Sequence, residues 1–264
     1  YMTGQISPYY LKGVQNRVYS HLHYCSGQVA MTGDCISGHH DLAHYYLTSR
    51  KEEVSISQKN MEFLLKKAHP LMDIYREERK KELHASLLEN AGKEGRRRRV
   101  LAVPDLGVLP KKLLEEILER NHVVLNEKTV ILESYKRSAT CLETILKHSV
   151  VEDEVSVLSE AEYEKYPLVL PLAECFLEKD IRLTYEEYHA CIGAAENYAK
   201  ANENYQFNLT KIKGFHNIQI TCFEGKWCMI SKNRAPAIHF VIHHPKLRYA
   251  LENMVLPIRD DEIE

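Results

Sequence analysis

A chain of 264 residues, 44% hydrophobic and 27% charged, has the composition of an ordinary soluble globular protein and the length to bury a sizeable core. Its formal net charge of −2 gives no overall attraction to nucleic acid or acidic membranes. No apolar run approaches the ~20 residues that span a bilayer, no signal pattern opens the chain, and seven scattered cysteines suit a reducing cytoplasm better than a disulfide framework.

Residues 1–49 are dense in Tyr and His and punctuated by Gly27, Gly33 and Gly38. They read as a helix over 7–24, then a turn-rich loop through Gly38. A second helix follows from His39 to Ala68, where Met61, Leu64, Leu65 and Ala68 keep helical spacing. His69-Pro70 ends it, Leu71 to Tyr75 reads as a short strand, and Arg76 to Leu88 as a surface helix with a weak leucine stripe. The run AGKEGRRRR, 91–99, reads as a solvated loop leading into a strand from Val100 to Val103; a phosphate or nucleic-acid contact is the competing reading of its four arginines.

Pro110 fits the first turn of a helix carrying Leu113, Leu114, Ile117 and Leu118, and a further helix spans Asn126 to Lys147. Val150 to Leu158 alternates charged and apolar residues, as an edge strand does. Tyr166 to Leu172 holds two prolines and reads as an extended connector. Thr184 is a good N-cap for a helix to about Ala201, with Glu187 at the capping-box position, and Tyr205 to Leu209 is a candidate strand. The block 215–255 then reads as three strands, Ile218 to Phe223, Trp227 to Ser231 and Ala237 to Ile242, followed by a helix from Pro245. Glu224-Gly225-Lys226 is short enough for a hairpin, with Gly225 free to take φ > 0. The fold class is mixed α/β: a helix-rich region over 1–148 with a strand near 100–103, and an α/β region over 149–264, with a break in 148–182 or one continuous domain.

Chemistry-bearing clusters are few. His21, His23, Cys25, Cys35, His39, His40 and His44 include the ligand types zinc prefers, and His40 and His44 would share a helical face. Of these, His21, His23, Cys35, His40 and His44 are the weak metal candidates, since no C-x2-C pair and no H-E-x-x-H accompanies them. Cys25 or Cys35 beside a histidine is a candidate nucleophile pair. Cys222 and Cys228, on successive strands, can approach each other as buried thiols. No phosphate-binding glycine loop occurs. The carboxylate pairs Glu115-Glu116, Glu186-Glu187 and Asp260-Asp261 read as solvated charge. His244-x-Lys246 after a strand matches the start of a phospholipase-D-type H-x-K-x4-D motif, but Leu251 stands where the acid belongs and there is no second copy.

The phrases HYYLTSRKEEV, NMEFLLKKAHPLMDIYR, LTYEEYHACI, FHNIQI and EGKWCMISKNRAPAIHFVIHHPKL resemble the C-terminal regions of bacterial Xre-type helix-turn-helix transcriptional regulators, from about residue 18 onward. The resemblance implies a cytoplasmic, homodimeric, ligand-sensing domain, with DNA contacted only through an N-terminal part that residues 1–60 do not contain. It implies no catalytic residue and no cofactor. A small-molecule or peptide effector would be met by residues at strand ends of the 215–255 block: Trp227, Arg234, His239, His243 and Tyr249. The alternatives are a metal-dependent or phospholipase-D-like hydrolase, the latter on a degenerate version of that fold, and a protein-interaction module.

Overall fold

The computed structural model describes residues 6–13, 18–210 and 215–255. Backbone contacts divide the chain into two compact units, Tyr1–Leu71 and Met72–Glu264.

In the first unit, β1 (Tyr9–Tyr10) pairs with β5 (His69–Pro70), while β2 (Val18–Cys25), β3 (Ala30–Ile36) and β4 (His39–Thr48) form an antiparallel sheet in chain order. Strands replace the helices expected over 7–24 and from His39, although residues 14–17 of the first lie outside the described part. The loop expected before Gly38 is β3. Tyr and His fill about half the positions of β2 and β4 and satisfy a helical and an alternating pattern alike, and aromatic residues favour the pleated form. Gly27 and Gly38, at φ 80° and 84°, make the two turns. Among the described residues of this unit only Lys51–Lys67 is helical (α1), with Val54 buried.

The second unit is built on a seven-stranded sheet. Its members are β6 (Met72–Tyr75), β7 (Arg97–Leu101), β8 (Val151–Ser156), β9 (Tyr205–Thr210), β10 (Ile218–Phe223), β11 (Trp227–Lys232) and β12 (Ile238–Ile242), in the order β6-β12-β11-β10-β7-β8-β9. The pairs from β6 through β7 are antiparallel; β7, β8 and β9 run parallel. The helices are α2 (Lys80–Ala91), α3 (Lys111–Arg120), α4 (Leu125–Leu146), α5 (Glu160–Lys165), α6 (Tyr185–Ala201) and α7 (Pro245–Glu252). The mixed α/β class is therefore as expected. The two-unit division falls at Leu71/Met72 and not in 148–182, a stretch that holds β8 and the start of its connection to β9 inside the one sheet.

Strand register assigns the two faces. One face carries Arg97, Arg99, Val151, Asp153, Tyr205, Thr221, Trp227, Met229 and Val241. Over its parallel half lies the main core, with Leu114, Ile117, Leu118, Ile131 and Leu142 from α3 and α4 and Tyr188, Cys191 and Ala195 from α6. Leu83 of α2 packs over its antiparallel half with Tyr75, Phe176, Phe223 and Met229. The opposite face packs Val100, Ile220, Cys222 and Cys228 against Leu251 and Met254 at the α7 end. β8 lies between β7 and β9, so it is no edge strand. Its alternation arises because Val151, Asp153 and Val155 are buried while Glu152 and Glu154 face the other way. The hairpin at Gly225 (φ 71°) and the Thr184/Glu187 capping box are both present.

Candidate functional site

Three of the four arginines, Arg97, Arg98 and Arg99, lie in β7 rather than in a solvated loop, and Arg96 directly precedes it. Arg97 is 4% exposed. Strand alternation sends its neighbours to opposite faces. Arg98 meets Glu154 through two hydrogen bonds of 2.6 and 2.9 Å and donates to the Met254 carbonyl at 3.0 Å. Arg96 pairs with Glu152.

On the inner face, Arg97 donates to the carbonyls of Gly95, Asn90 and Lys93 at 2.8, 2.6 and 2.9 Å, closing the C-terminal end of α2 where the helix dipole favours a cation. Its guanidinium lies 4.0 Å over the Phe223 ring. Burial, then repulsion from Arg99, pushes it down to about 10, so it stays charged at neutral pH. Gly95, at φ 138°, belongs to the same corner. A Cβ there would stand 2.6 Å from the Phe223 ring.

Arg99 is held differently. It makes a bidentate pair with Asp153 at 2.6 and 2.8 Å and an ion pair with Asp105 at 3.1 Å. Tyr205 Oη donates to Asp153 at 2.7 Å, and Asp105 accepts from the Gly107 amide and from Ser138 Oγ. Burial opposes the Arg99 charge, but Asp153 and Asp105 outweigh it and hold the guanidinium above its ordinary range. Burial also raises the Asp153 carboxyl, against the pull of Arg99.

Beside these groups, between α2, α4 and the inner face, lies a cavity of about 100 Å³. Arg137 of α4 and Glu174 reach it along with Gln219, Thr221, Trp227 and Met229. Arg137 donates to Ser134 Oγ at 3.0 Å, but its buried Nε makes no hydrogen bond; Glu174 Oε2 is 3.9 Å from it. Burial, then repulsion from Asp105, pushes the Glu174 carboxyl up to about 7. Burial also raises the Cys141 thiol, which stays neutral.

Of the five effector candidates, only Trp227 lines this cavity. His239 is fully buried, 2.7 Å from Ser231 Oγ. Arg234 donates to the Pro167 carbonyl, His243 lies 3.5 Å from Asp73, and Tyr249 is exposed on α7. Neighbours in sequence are thus parted by strand alternation and by the turn into α7. Arg97, Arg99, Arg137 and Glu174 escaped the sequence reading. The acidic run Glu152-Asp153-Glu154 was the signal for the first two, since it offers a neighbouring strand the charges an arginine strand needs.

Cys35 Sγ lies 3.2 Å from His40 Nδ1, and His21 Nε2 2.9 Å from Tyr45 Oη. Among the described residues no three His, Cys, Asp or Glu side chains form a metal-holding group, so His21, His23, Cys35, His40 and His44 do not gather into one. The helical face expected for His40 and His44 is a strand. Cys222 and Cys228 do meet, with sulfurs 2.7 Å apart. His244 caps α7 by accepting the Leu247 amide, and Leu251 packs into the apolar cluster beneath that helix. The pair Asp260-Asp261 lies outside the described residues. No helix among the described residues is long and apolar enough to cross a membrane. No protein-family model and no curated protein matches the chain.

Proposed function

We propose that the chain is the ligand-sensing, dimerising part of a bacterial transcription regulator, and that the cavity between α2 and α4 is its sensor site. The observation that carries this reading is the cavity itself, a concave site whose lining joins apolar side chains such as Leu87, Leu142, Trp227 and Met229 to convergent charged ones, Arg137 and Glu174 among them, able to orient a small ligand. Transcription enters through the resemblance to Xre-type regulators, in which a separate helix-turn-helix part contacts DNA. Trp227 is the chain's one tryptophan and it lines the cavity, so its emission reports occupancy directly. Titration of the purified protein with a metabolite library should give a saturable emission change with at least one member, accompanied by a raised unfolding temperature. Sedimentation should show a dimer. If no compound shifts either signal and the protein sediments as a monomer, the sensor reading fails.

A further inference from the structure

We infer that the cavity takes a small amphiphilic carboxylate, its acid group held by Arg137 and its apolar body set against Trp227 and Met229. This deepens the sensor reading and rests on it. Three arginines reach the cavity, and two are already committed: Arg99 to the carboxylates of Asp153 and Asp105, Arg97 to three carbonyls. Arg137 is not. Its Nε is buried without a hydrogen bond, and the 3.9 Å to Glu174 is beyond hydrogen-bond range. A buried N–H left unmade is costly, and a guanidinium fork matches a carboxylate in bidentate fashion.

Size narrows the class. A water needs roughly 10–15 Å³ of such space, so about 100 Å³ holds a ligand of on the order of ten non-hydrogen atoms, too few for a nucleotide. The indole of Trp227 and the thioether of Met229 suit an aryl or branched alkyl body.

Glu174 adds a pH dependence. The charged and titratable groups around it are Arg137 and Cys141 from α4, Arg99 from β7, Asp105 from the following connection, the adjacent Cys175, and His84 and Lys80 from α2. A carboxylate bound at Arg137 places one more negative charge beside a carboxyl already raised to about 7, so binding takes up a proton at Glu174. Affinity therefore rises as pH falls.

The test follows Trp227 emission of the whole chain with sodium benzoate as the probe, beside benzyl alcohol, benzamidine and inorganic phosphate. Benzoate should give a saturable change, about tenfold tighter than benzyl alcohol and tighter at pH 6 than at pH 8. In Arg137→Gln its affinity should fall about tenfold, with the unfolding midpoint measured alongside; the benzoate and benzyl alcohol comparison on the unaltered chain needs no variant. A benzoate response no stronger than that of benzyl alcohol, benzamidine or phosphate overturns the carboxylate assignment and leaves the sensor reading in place. Silence from all four probes likewise overturns the carboxylate assignment, whereas the sensor reading falls only if the metabolite library is silent too and the protein sediments as a monomer.

Discussion

Arg97 and Arg99 are two residues apart on one strand and face the same core, yet their charges are met by different means. Arg97 rests on carbonyls at a helix end, whereas Arg99 has two carboxylates. Removing one member of a buried pair costs about 3–5 kcal/mol where the other is left unpartnered, and Asp105 still faces Arg99, which sets that range as the upper bound here. Asp153→Asn should therefore lower stability by up to that much in urea unfolding, and Glu154→Gln, on the more open face, by clearly less; equal losses would count against the pairing. Two further groups set the pH profile. Burial pushes His239 down to about 4, so between 6.5 and 4 the unfolded chain takes a proton that the folded protein refuses. Stability present above 6.5 is lost as pH falls through that window, by on the order of 3 kcal/mol. Glu174 acts with the opposite sign: its raised carboxyl binds a proton in the folded state between 4.5 and 7, so stability falls as pH rises through that range. Unfolding midpoints from pH 4 to 8 should show His239→Gln losing the acid-side decline and Glu174→Gln losing the fall toward pH 7. None of these residue roles was legible beforehand. A buried arginine and a solvated one are the same letter, and only the partner strand tells them apart.

At the scale of elements, legibility followed the strength of local signals. The helix from Thr184 was readable because its cap is chemical: Thr184 Oγ1 accepts the Glu187 amide and Glu187 reaches back to the Thr184 amide. Thr184→Ala should cost about 1 kcal/mol, read as a shift of the urea midpoint with unchanged slope, and an unchanged midpoint would show that tertiary packing alone ends the helix. The 215–255 block was readable because short turns with Gly225 force neighbouring strands together. The N-terminal strands were missed because Tyr45 and Tyr46 are both about half exposed, so neither face carries the clean apolar alternation that marks a strand. β8 reads as an edge strand for the converse reason. Its outward glutamates mimic solvent exposure while they serve Arg96, Arg98 of β7 and Asn208 of β9.

At the scale of the molecule, every strand of the larger sheet comes from Met72 onward. A fragment of residues 72–264 should therefore unfold cooperatively and keep the Trp227 response, and a broad, non-cooperative transition would show that the sheet needs the first unit. Composition, hairpin turns and helix caps let the sequence by itself determine a mixed α/β protein, the strand order within 215–255 and the cap of α6, because these signals act between residues close in the chain. The tertiary structure alone decided the two-unit division, the parallel placement of β8 beside β7, the inward and outward fates of the four arginines, and the cavity at Arg137 and Glu174. Those features join residues from about 40 to more than 150 positions apart, and contacts closed over such separations leave no local periodicity to read.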